Sequence, residues 1–450
     1  MTPPRSAAET IADWAAGLRP GDIPASAKAA ACRHLLDGIG CAIGAVRTDA
    51  VPAAISAALR EAEPERATIF ADGRRVATTA AALANGALVH ALDYDDTHEP
   101  ALVHATAAVL PAAFAAGEET SATGADVLAA AIAGYEIVTR LGAAVPHGFH
   151  RRGLHATSVC GVFAAAAIAA KLMGLAAGAT AAALGIAGSA AGGSLEFLNT
   201  GSSTKQLHPG IAAMNGIVAA RLAAAGADGP ATIFEGEYGI YRALAGEEVD
   251  PRVLTAGLGD RWETERITIK PYPACHLSHA TLDALGYAED VDPGAIERIV
   301  VTVPEPSMPI VCLPAMAKLH PRTPYEAKFS LPWSAAALVL DGTLTPDTYH
   351  NLDRPDVEAL AAKIECVASA FDGPPAQAPG EATIMMRGGR IVRVTAARDD
   401  GRIGDDAFAA KLAGNCGPVD PSALTEAVTH LEDQPDLKAV FAATDLRGPR

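Results

Sequence analysis

Residues 85–111 read Asn-Gly-Ala-Leu-Val-His-Ala-Leu-Asp-Tyr-Asp-Asp-Thr-His-Glu-Pro-Ala-Leu-Val-His-Ala-Thr-Ala-Ala-Val-Leu-Pro, where dense polarity interrupts an apolar, alanine-rich background. The polar side chains of this stretch are His90, Asp93, Asp95, Asp96, Thr97, His98, Glu99 and His104. Both flanks have the pattern of buried helices, and burying a polar group without a partner costs about 2 to 7 kcal/mol. The stretch is therefore either an exposed acidic loop with turn and cap residues or a functional site.

Helical periodicity dominates the chain on both sides of this stretch. Apolar residues recur every three or four positions. The predicted helices are three between residues 6 and 62, then 77–93, 101–117, 124–142, 156–173, 177–192 and 209–225. A short strand is predicted over 66–71, before an Asp-Gly turn.

The pattern changes near residue 260. Strands are predicted at 266–270, 296–303, 381–387 and 390–396, and the link Gly388-Gly389 between the last two is a strong hairpin signal. Helices are predicted at 280–290, 325–341, 344–350, 354–362 and 406–443. The expected fold is mainly α: a large all-helical domain, 1–262 plus 402–450, with an inserted smaller α+β lid domain, 263–401.

Composition narrows the classes of protein. The net charge of -17 argues against nucleic-acid binding. Apolar runs such as 159–173 contain Lys171 and fall short of about 20 residues, so no membrane span is expected. Seven cysteines without a CxxC pair and an N-terminus without signal-peptide features predict a cytoplasmic protein. Charged residues are only 19%, below the usual value of about 25%, which favours a subunit interface.

Two polar stretches lie in the helical half. Gly148 to Ser158 contains His155 just before a very apolar helix, whose first backbone N–H groups attract anions. The alternative is a simple N-cap with a surface histidine nearby. In Gly201 to Gly210, Lys205 and His208 are three residues apart and hydroxyl groups suited to a carboxylate precede them. A solvated loop lysine is the alternative there, and the GxxxxGK[ST] phosphate loop is missing.

Two more polar stretches lie in the second half. Lys270-Pro-Tyr-Pro-Ala-Cys-His-Leu-Ser-His279 places His276 and His279 at the start of a helix. A zinc site is disfavoured because no second Cys/His pair completes four ligands. In Tyr325 to Trp333, Glu326, Lys328 or Trp333 could line a cleft, although packing explains most of that segment.

These side chains suit proton transfer on a carboxylate. Histidines near neutral pKa and Asp93 could exchange a proton, while lysines could hold carboxylates. A serine hydrolase is disfavoured because no G-x-S-x-G elbow occurs, and a dinucleotide fingerprint is missing.

In five ordered blocks the chain resembles the MmgE/PrpD family, which includes 2-methylcitrate dehydratases, cis-aconitate decarboxylases and iminodisuccinate epimerases. The blocks are Asn85-Gly86 with His90 to Thr97, Gly153 to Ser158, Thr204 to Gly210, Lys270 to His276, and Glu326 to Ser330 with Leu340-Asp341-Gly342. The resemblance implies a homodimer and an active site between the two domains that uses no cofactor and no metal.

The resemblance also implies residue roles. Asp93 or His104 would be the base, His155 or His279 the acid, and Lys205 the carboxylate anchor. Further expected substrate contacts are Thr97, His208, Lys270 and His276. Of the pair at 276 and 279, His279 is preferred for its distance from the Pro-Tyr-Pro segment.

The expected activity is elimination of water from a small di- or tricarboxylate, as in 2-methylcitrate dehydration. Epimerisation of an iminodisuccinate-type dicarboxylate is the runner-up. Cis-aconitate-type decarboxylation is less favoured, because His104 stands one residue further from the Asp-Asp-Thr motif than in the decarboxylases and Trp333 replaces a tyrosine. The non-enzyme alternatives are a catalytically silent carboxylate-binding protein and a structural helical-repeat protein. The five intact blocks and the lack of a sequence period argue against these.

Overall fold

The computed structural model describes residues 5–61, 64–373, 375–397 and 403–446, so the domain boundary predicted at 401/402 and the end of the third predicted helix lie outside the described residues. The fold is mainly helical. The helices before residue 260 are α1 (Ala7–Gly17), α2 (Ala25–Arg47), α3 (Pro52–Ala58), α4 (Thr78–His90), α5 (Ala105–Thr120), α6 (Gly124–Ala143), α7 (Gly148–Arg151), α8 (Ala156–Leu172), α9 (Ala177–Ala187), α10 (Phe197–Thr200), α11 (His208–Ala224) and α12 (Pro251–Thr255). The later helices are α13 (His279–Gly286), α14 (Met308–Val311), α15 (Ala315–Leu319), α16 (Pro324–Lys328), α17 (Leu331–Asp341), α18 (Pro355–Ala361), α19 (Asp405–Cys416), α20 (Ser422–Thr429) and α21 (Lys438–Thr444).

The larger of two apolar cores is built by the helices of the first half, and α19, α20 and α21 return to it. It extends to Ile267 and Ile269, beyond the boundary predicted at 262. Helices α4 and α11 cross closely at two glycines: a Cβ on Gly86 would lie 2.4 Å from Gly210 Cα. This approach brings the loop after α4 beside the segment that precedes α11.

The smaller core includes Phe197 and residues between Ala274 and Met386. Its sheet has the order β4-β3-β5-β6. The strands are β3 (Ile296–Pro304), β4 (Ile364–Ser369), β5 (Gly380–Met386) and β6 (Ile391–Ala396), while β1 (Ala67–Thr68) and β2 (Arg75–Val76) form a separate ribbon. Strand β3 pairs in parallel with β4, and β5 and β6 form the predicted antiparallel hairpin. Gly388 and Gly389 have φ of 88° and 85°, which explains glycine at both positions.

The prediction of a strand at 266–270 is wrong. Residues Glu263–Arg266 form a 3₁₀ turn, and the segment after it makes one isolated bridge. Thr97 N donates to Thr268 O at 2.8 Å, and Thr268 N donates to Thr97 O at 2.9 Å. The hydrogen bonds that would have joined this segment to a sheet therefore tie it to the polar stretch at 90–104.

Some helix boundaries in the structure differ from the predicted ones, at positions where a polar side chain caps a turn. The helix predicted over 325–341 is divided, because the Ser330 hydroxyl accepts a hydrogen bond from Trp333 N at 3.1 Å and starts α17. Helix α5 begins at Ala105 rather than at residue 101, with His104 at its N-cap. The helical region predicted over 406–443 contains α19, α20 and α21, and strand β4 was not predicted.

Helix α2 is long and apolar enough to cross a membrane, by length and composition alone. Of its most apolar window, 78% is buried inside the protein. The core helix of a soluble protein passes the same test, so this is weak evidence for a span.

Candidate active site

A cavity of about 260 Å³, called here the inner cavity, lies where the polar stretches of both cores meet. Its polar lining residues are Asp93, Thr97, His104, His147, His150, His155, Lys205, Lys270 and His276. Its apolar lining residues include Leu195, Phe197, Leu198, Leu277, Ile310 and Phe329. The structure thus brings together side chains from all five polar blocks predicted from the sequence, the fifth contributing only Phe329.

Asp93 is the most strongly held polar group of the cavity. Its Oδ1 accepts hydrogen bonds from Lys205 Nζ at 2.8 Å and from Lys270 Nζ at 3.1 Å. Burial alone would raise the pKa of Asp93, but the two ammonium groups outweigh it and hold the pKa well below its ordinary value. A carboxylate so strongly stabilised in its ionised form is a weak base, which argues against the proton-abstracting role considered for Asp93.

The backbone around Asp93 is fixed by distant side chains. Asp93 itself has a φ of 51°, in the left-handed region. Lys270 Nζ donates to Asp93 O at 2.9 Å, and Lys411 Nζ on α19 donates to Tyr94 O at 2.7 Å. Gln206 Nε2 donates to Ala91 O at 2.8 Å. The loop is therefore held by three separate segments, and no motif in the sequence pointed to Lys411.

His104 lies beside Asp93, and one of its two ring nitrogens already makes a hydrogen bond within the protein. Its Nδ1 is 3.0 Å from Asp96 O, a group that can only accept, so Nδ1 carries the hydrogen. Its Nε2 then holds the lone pair, 4.0 Å from Asp93 Oδ1. Burial, and then the charges of Lys205 and Lys270, hold the pKa of His104 well below its ordinary value. At neutral pH the ring is a neutral imidazole whose Nε2 can accept a proton.

Behind His104 lies a pair that was not selected from the sequence. His90 Nδ1 is 2.8 Å from Asp95 Oδ2, and both side chains are fully buried. The His90 ring centroid is 4.6 Å from that of His104 and 5.6 Å from that of His155. The polar stretch contained the signal for both residues, but His90 also fits the buried pattern of α4.

Asp96 joins the loop to α5. Its Oδ1 accepts from Thr106 N at 3.0 Å, and the Thr106 hydroxyl contacts its other oxygen. Burial raises the pKa of Asp96 to about 8, from an ordinary value of 3.8. This carboxyl is thus structural, and it positions the Asp96 carbonyl that holds His104.

His155 and His208 form a contact between two helix starts. His155 Nδ1 lies 3.2 Å from His208 Nδ1, so one of these nitrogens carries the hydrogen and the other accepts it. His155 lines the inner cavity, whereas His208 lies behind it and is outside the wall. Burial lowers the pKa of His208 to about 4 and, together with nearby Lys205, holds that of His155 well below its ordinary value. The His208 ring thus contacts His155 from outside the cavity wall, and the substrate contact expected for His208 stays a prediction.

At the other wall the structure favours His276 over His279. His276 lines the cavity, and its Nε2 lies 3.1 Å from Glu99 Oε1. His279 is 1% exposed, and its Nε2 donates to Ala274 O at 3.1 Å, behind the wall. The preference for His279 in the cavity is therefore corrected, because the 3₁₀ turn at His276–Ser278 directs the first histidine of the pair to the wall.

Most of the fifth polar block lies away from the inner cavity, which only its Phe329 lines. Glu326 pairs with Arg322 at 2.5 Å on the wall of a second cavity. Trp333 is fully buried in the smaller core, 5.5 Å from the Tyr349 ring, and Lys328 is also buried beside that ring. In contrast, His147 and His150 line the inner cavity, although His150 was quoted without being selected and His147 precedes the quoted stretch.

Among the residues that the structure describes, two overlapping groups have the spacing of a metal-ion site. In each, the possible ligand atoms lie within 4.8 Å of one another: His90, His104 and His155, and His90, Asp93, Asp95 and His104. Asp93 already pairs with two ammonium groups, and a cation added beside Lys205 and Lys270 would be repelled. That the reaction needs no metal ion stays a prediction. Measuring the activity after chelation of metal ions would test it.

Comparison with known families agrees with this geometry. The MmgE/PrpD N-terminal domain matches residues 9–252, and the MmgE/PrpD C-terminal domain matches residues 272–433. The chain belongs to the MmgE/PrpD family, and the resemblance stated from the five blocks is confirmed.

Several curated proteins are similar in sequence. Cis-aconitate decarboxylase-like protein oryM of Aspergillus oryzae is 31% identical, over 83% of this chain and 82% of its own length. Cis-aconitate decarboxylase of Aspergillus terreus is 32% identical over 64% of this chain and 61% of its own length. Cis-aconitate decarboxylase of Homo sapiens is 32% identical over 65% of this chain and 62% of its own length. The alignments thus span less than two thirds of the latter two proteins. Family and relatives together support a lyase-type enzyme.

Proposed function

We propose that this protein is a cofactor-independent lyase that removes a proton from a small di- or tricarboxylate and eliminates water, as in 2-methylcitrate dehydration. One observation carries the proposal: a neutral imidazole, His104, lies in a buried cavity beside the ammonium groups of Lys205 and Lys270. A base beside fixed positive charges is the arrangement needed to ionise a C–H bond next to a carboxylate.

The residues divide the work as follows. Lys205 holds a substrate carboxylate, and Lys270 and Lys205 stabilise the negative charge that develops when the proton leaves carbon. His104 Nε2 takes that proton. His155 hydrogen-bonds to the departing hydroxide, and the proton taken up by His104 completes the water molecule, so that the C–H and C–O bonds break, a C=C bond forms, and both histidines end neutral. Thr97, His276, His147 and His150 complete the wall around the substrate.

Burial gives the site its preference for anions. Lys205, Lys270 and Asp93 together carry two positive charges and one negative charge, with little access to water. An excess buried charge is costly unless a ligand neutralises it. A second carboxylate on the substrate therefore strengthens binding more than a neutral group would.

Decarboxylation of a cis-aconitate-type substrate is the second candidate, favoured by the identity to the decarboxylases named above. In that reaction a C–C bond breaks, carbon dioxide leaves, and an acid returns a proton to carbon. The ammonium groups of Lys205 and Lys270 and the imidazole of His104 would serve this reaction as well. The two reactions differ in product rather than in the residues required.

The test is proton NMR in deuterated water after chelation, with 2-methylcitrate, citrate, cis-aconitate and iminodisuccinate in turn. Loss of water from a citrate supports the proposal, and release of carbon dioxide from cis-aconitate replaces it with decarboxylation. Deuterium bound to carbon without elimination would indicate an epimerase. Binding without any turnover or exchange would leave a carboxylate-binding protein.

A further inference from the structure

The inner cavity has two chemically different halves. Asp93, His104, His155 and the two lysines form a charged half. The rest of the lining is largely apolar, with Leu195, Phe197, Leu198, Leu277, Pro306, Ile310 and Phe329. A small tricarboxylate is polar on all sides and gains nothing from such a wall, because its carboxylates lose water there without a partner.

Part of this apolar lining also borders a second cavity of about 580 Å³, called here the outer cavity. Four residues line both cavities: Phe197, Leu198, Ile310 and Phe329. The rings of Phe197 and Phe329 are 6.2 Å apart between centroids. Lys205 Nζ lies 5.3 Å from the Phe329 centroid, so a carboxylate held by Lys205 places the rest of its ligand against this wall.

The charged groups around the outer cavity are already partnered. Lys318 Nζ donates to Ile310 O at 2.6 Å and to Phe329 O at 2.7 Å. Arg322 pairs with Glu326 at 2.5 Å. The remaining lining combines the apolar residues Pro309, Leu313, Pro314 and Ala317 with the polar residues Asn199, Ser202 and His320. The apolar part of this surface favours a hydrocarbon over another charged group.

We propose that the ligand of this site is an alkyl-substituted di- or tricarboxylate, whose alkyl chain is longer than methyl and lies across Phe197 and Phe329 into the outer cavity. This inference rests on the proposed function, because Lys205 must hold the carboxylate end. It makes Leu313, which is 45% exposed at the outer cavity, a residue that determines chain-length preference.

The test measures binding by calorimetry, with the full-length protein and a series of succinates: unsubstituted, 2-methyl, 2-butyl and 2-hexyl. Each added methylene is expected to tighten the Kd by about threefold until the chain fills the outer cavity. Equal or weaker binding of 2-hexylsuccinate than of 2-methylsuccinate would overturn the inference. So would a complete lack of binding, which would also remove the assumed carboxylate site.

Two matched variants locate the alkyl chain. Leu313→Asp places a charge in the outer cavity and should abolish most of the gain from methyl to hexyl. Met316→Asp is the control, because Met316 is 67% exposed on the adjacent helix α15 and lies outside the cavity wall. A gain that survives Leu313→Asp would show that the chain binds elsewhere and would overturn the inference.

Turnover separates this inference from the proposed reaction. If the affinity rises with chain length but no 2-alkylcitrate loses water, the reaction is wrong and the alkyl site stands. If 2-methylcitrate is dehydrated while the affinity for succinates is independent of chain length, the reaction stands and the alkyl site is wrong.

Discussion

Lys205 Nζ lies 2.8 Å from Asp93 Oδ1, and the two side chains are only 9% and 1% exposed. The residues are 112 positions apart in the chain. Lys270 shares the same carboxylate oxygen from 177 positions away. This three-membered cluster sets the charge of the inner cavity and joins three polar stretches.

Lys205→Met should reduce kcat/KM by at least about 100-fold, because the variant loses a charge that holds the substrate and stabilises the transition state. The fold should persist, since Asp93 keeps Lys270 as its partner. Steady-state kinetics with a thermal melt would measure both effects. Lys438→Met, at a lysine whose side chain is 90% exposed, is the control. Near-normal activity of the Lys205 variant would remove Lys205 from the mechanism.

His104→Gln should lower kcat by about 10² to 10⁴-fold, the usual contribution of a positioned general base. Glutamine can donate to the Asp96 carbonyl but cannot accept the substrate proton. Deuterium incorporation from solvent should fall in parallel. His350→Gln, at an exposed histidine, is the matched control. If proton exchange continues at the original rate in the His104 variant, another residue is the base.

His208 should act by positioning His155. His208→Leu, which cannot make a hydrogen bond, should lower kcat by about tenfold with little change in KM, as expected for the loss of one hydrogen bond. His208→Asn can restore a polar atom near the position of Nδ1 and should recover most of the activity. Equal losses in both variants would show that His208 contributes packing alone.

Substitutions of His276 and of His279 should have different effects. His276→Asn changes the cavity wall and should alter KM and kcat. His279→Asn removes a buried contact to the Ala274 carbonyl and should chiefly lower the free energy of unfolding, by about 1 to 3 kcal/mol. Kinetics and urea unfolding on both variants test this. The opposite pattern, with catalysis lost only at 279, would restore the assignment made from the sequence.

Asp96 should make stability depend on pH. Its carboxyl has a pKa of about 8 when folded and an ordinary value of 3.8, so the folded protein retains a proton that the unfolded chain has released. The contribution of Asp96 is full below pH 4 and is lost as pH rises to 8. Asp96→Asn should therefore gain stability relative to the parent protein by more than about 1 kcal/mol between pH 5 and pH 8.

Urea unfolding at several pH values would measure that difference, because the other titrating groups are common to both proteins. Asp353→Asn, at an exposed carboxylate, is the control and should follow the parent curve. A constant difference between Asp96→Asn and the parent from pH 5 to pH 8 would contradict the raised pKa.

Much of the candidate site could be predicted from the sequence alone. Asp93, His104, His155 and Lys205 stand out because polar side chains in apolar, helix-forming surroundings must be partnered or used, and all four line the inner cavity. The hairpin at Gly388-Gly389 was equally predictable, since it depends on local turn chemistry. The family followed from the order of the five blocks.

The amino-acid sequence by itself therefore determined the helical class, the family and the pool of polar residues. Tertiary structure alone decided which nitrogen of His104 holds the lone pair, that His276 rather than His279 meets the cavity, and that His208 contacts His155. These outcomes depend on contacts between segments that are far apart in the chain, such as Lys205 with Asp93. Local periodicity and spacing do not encode such distances, because they arise only when the helices and the second core have packed.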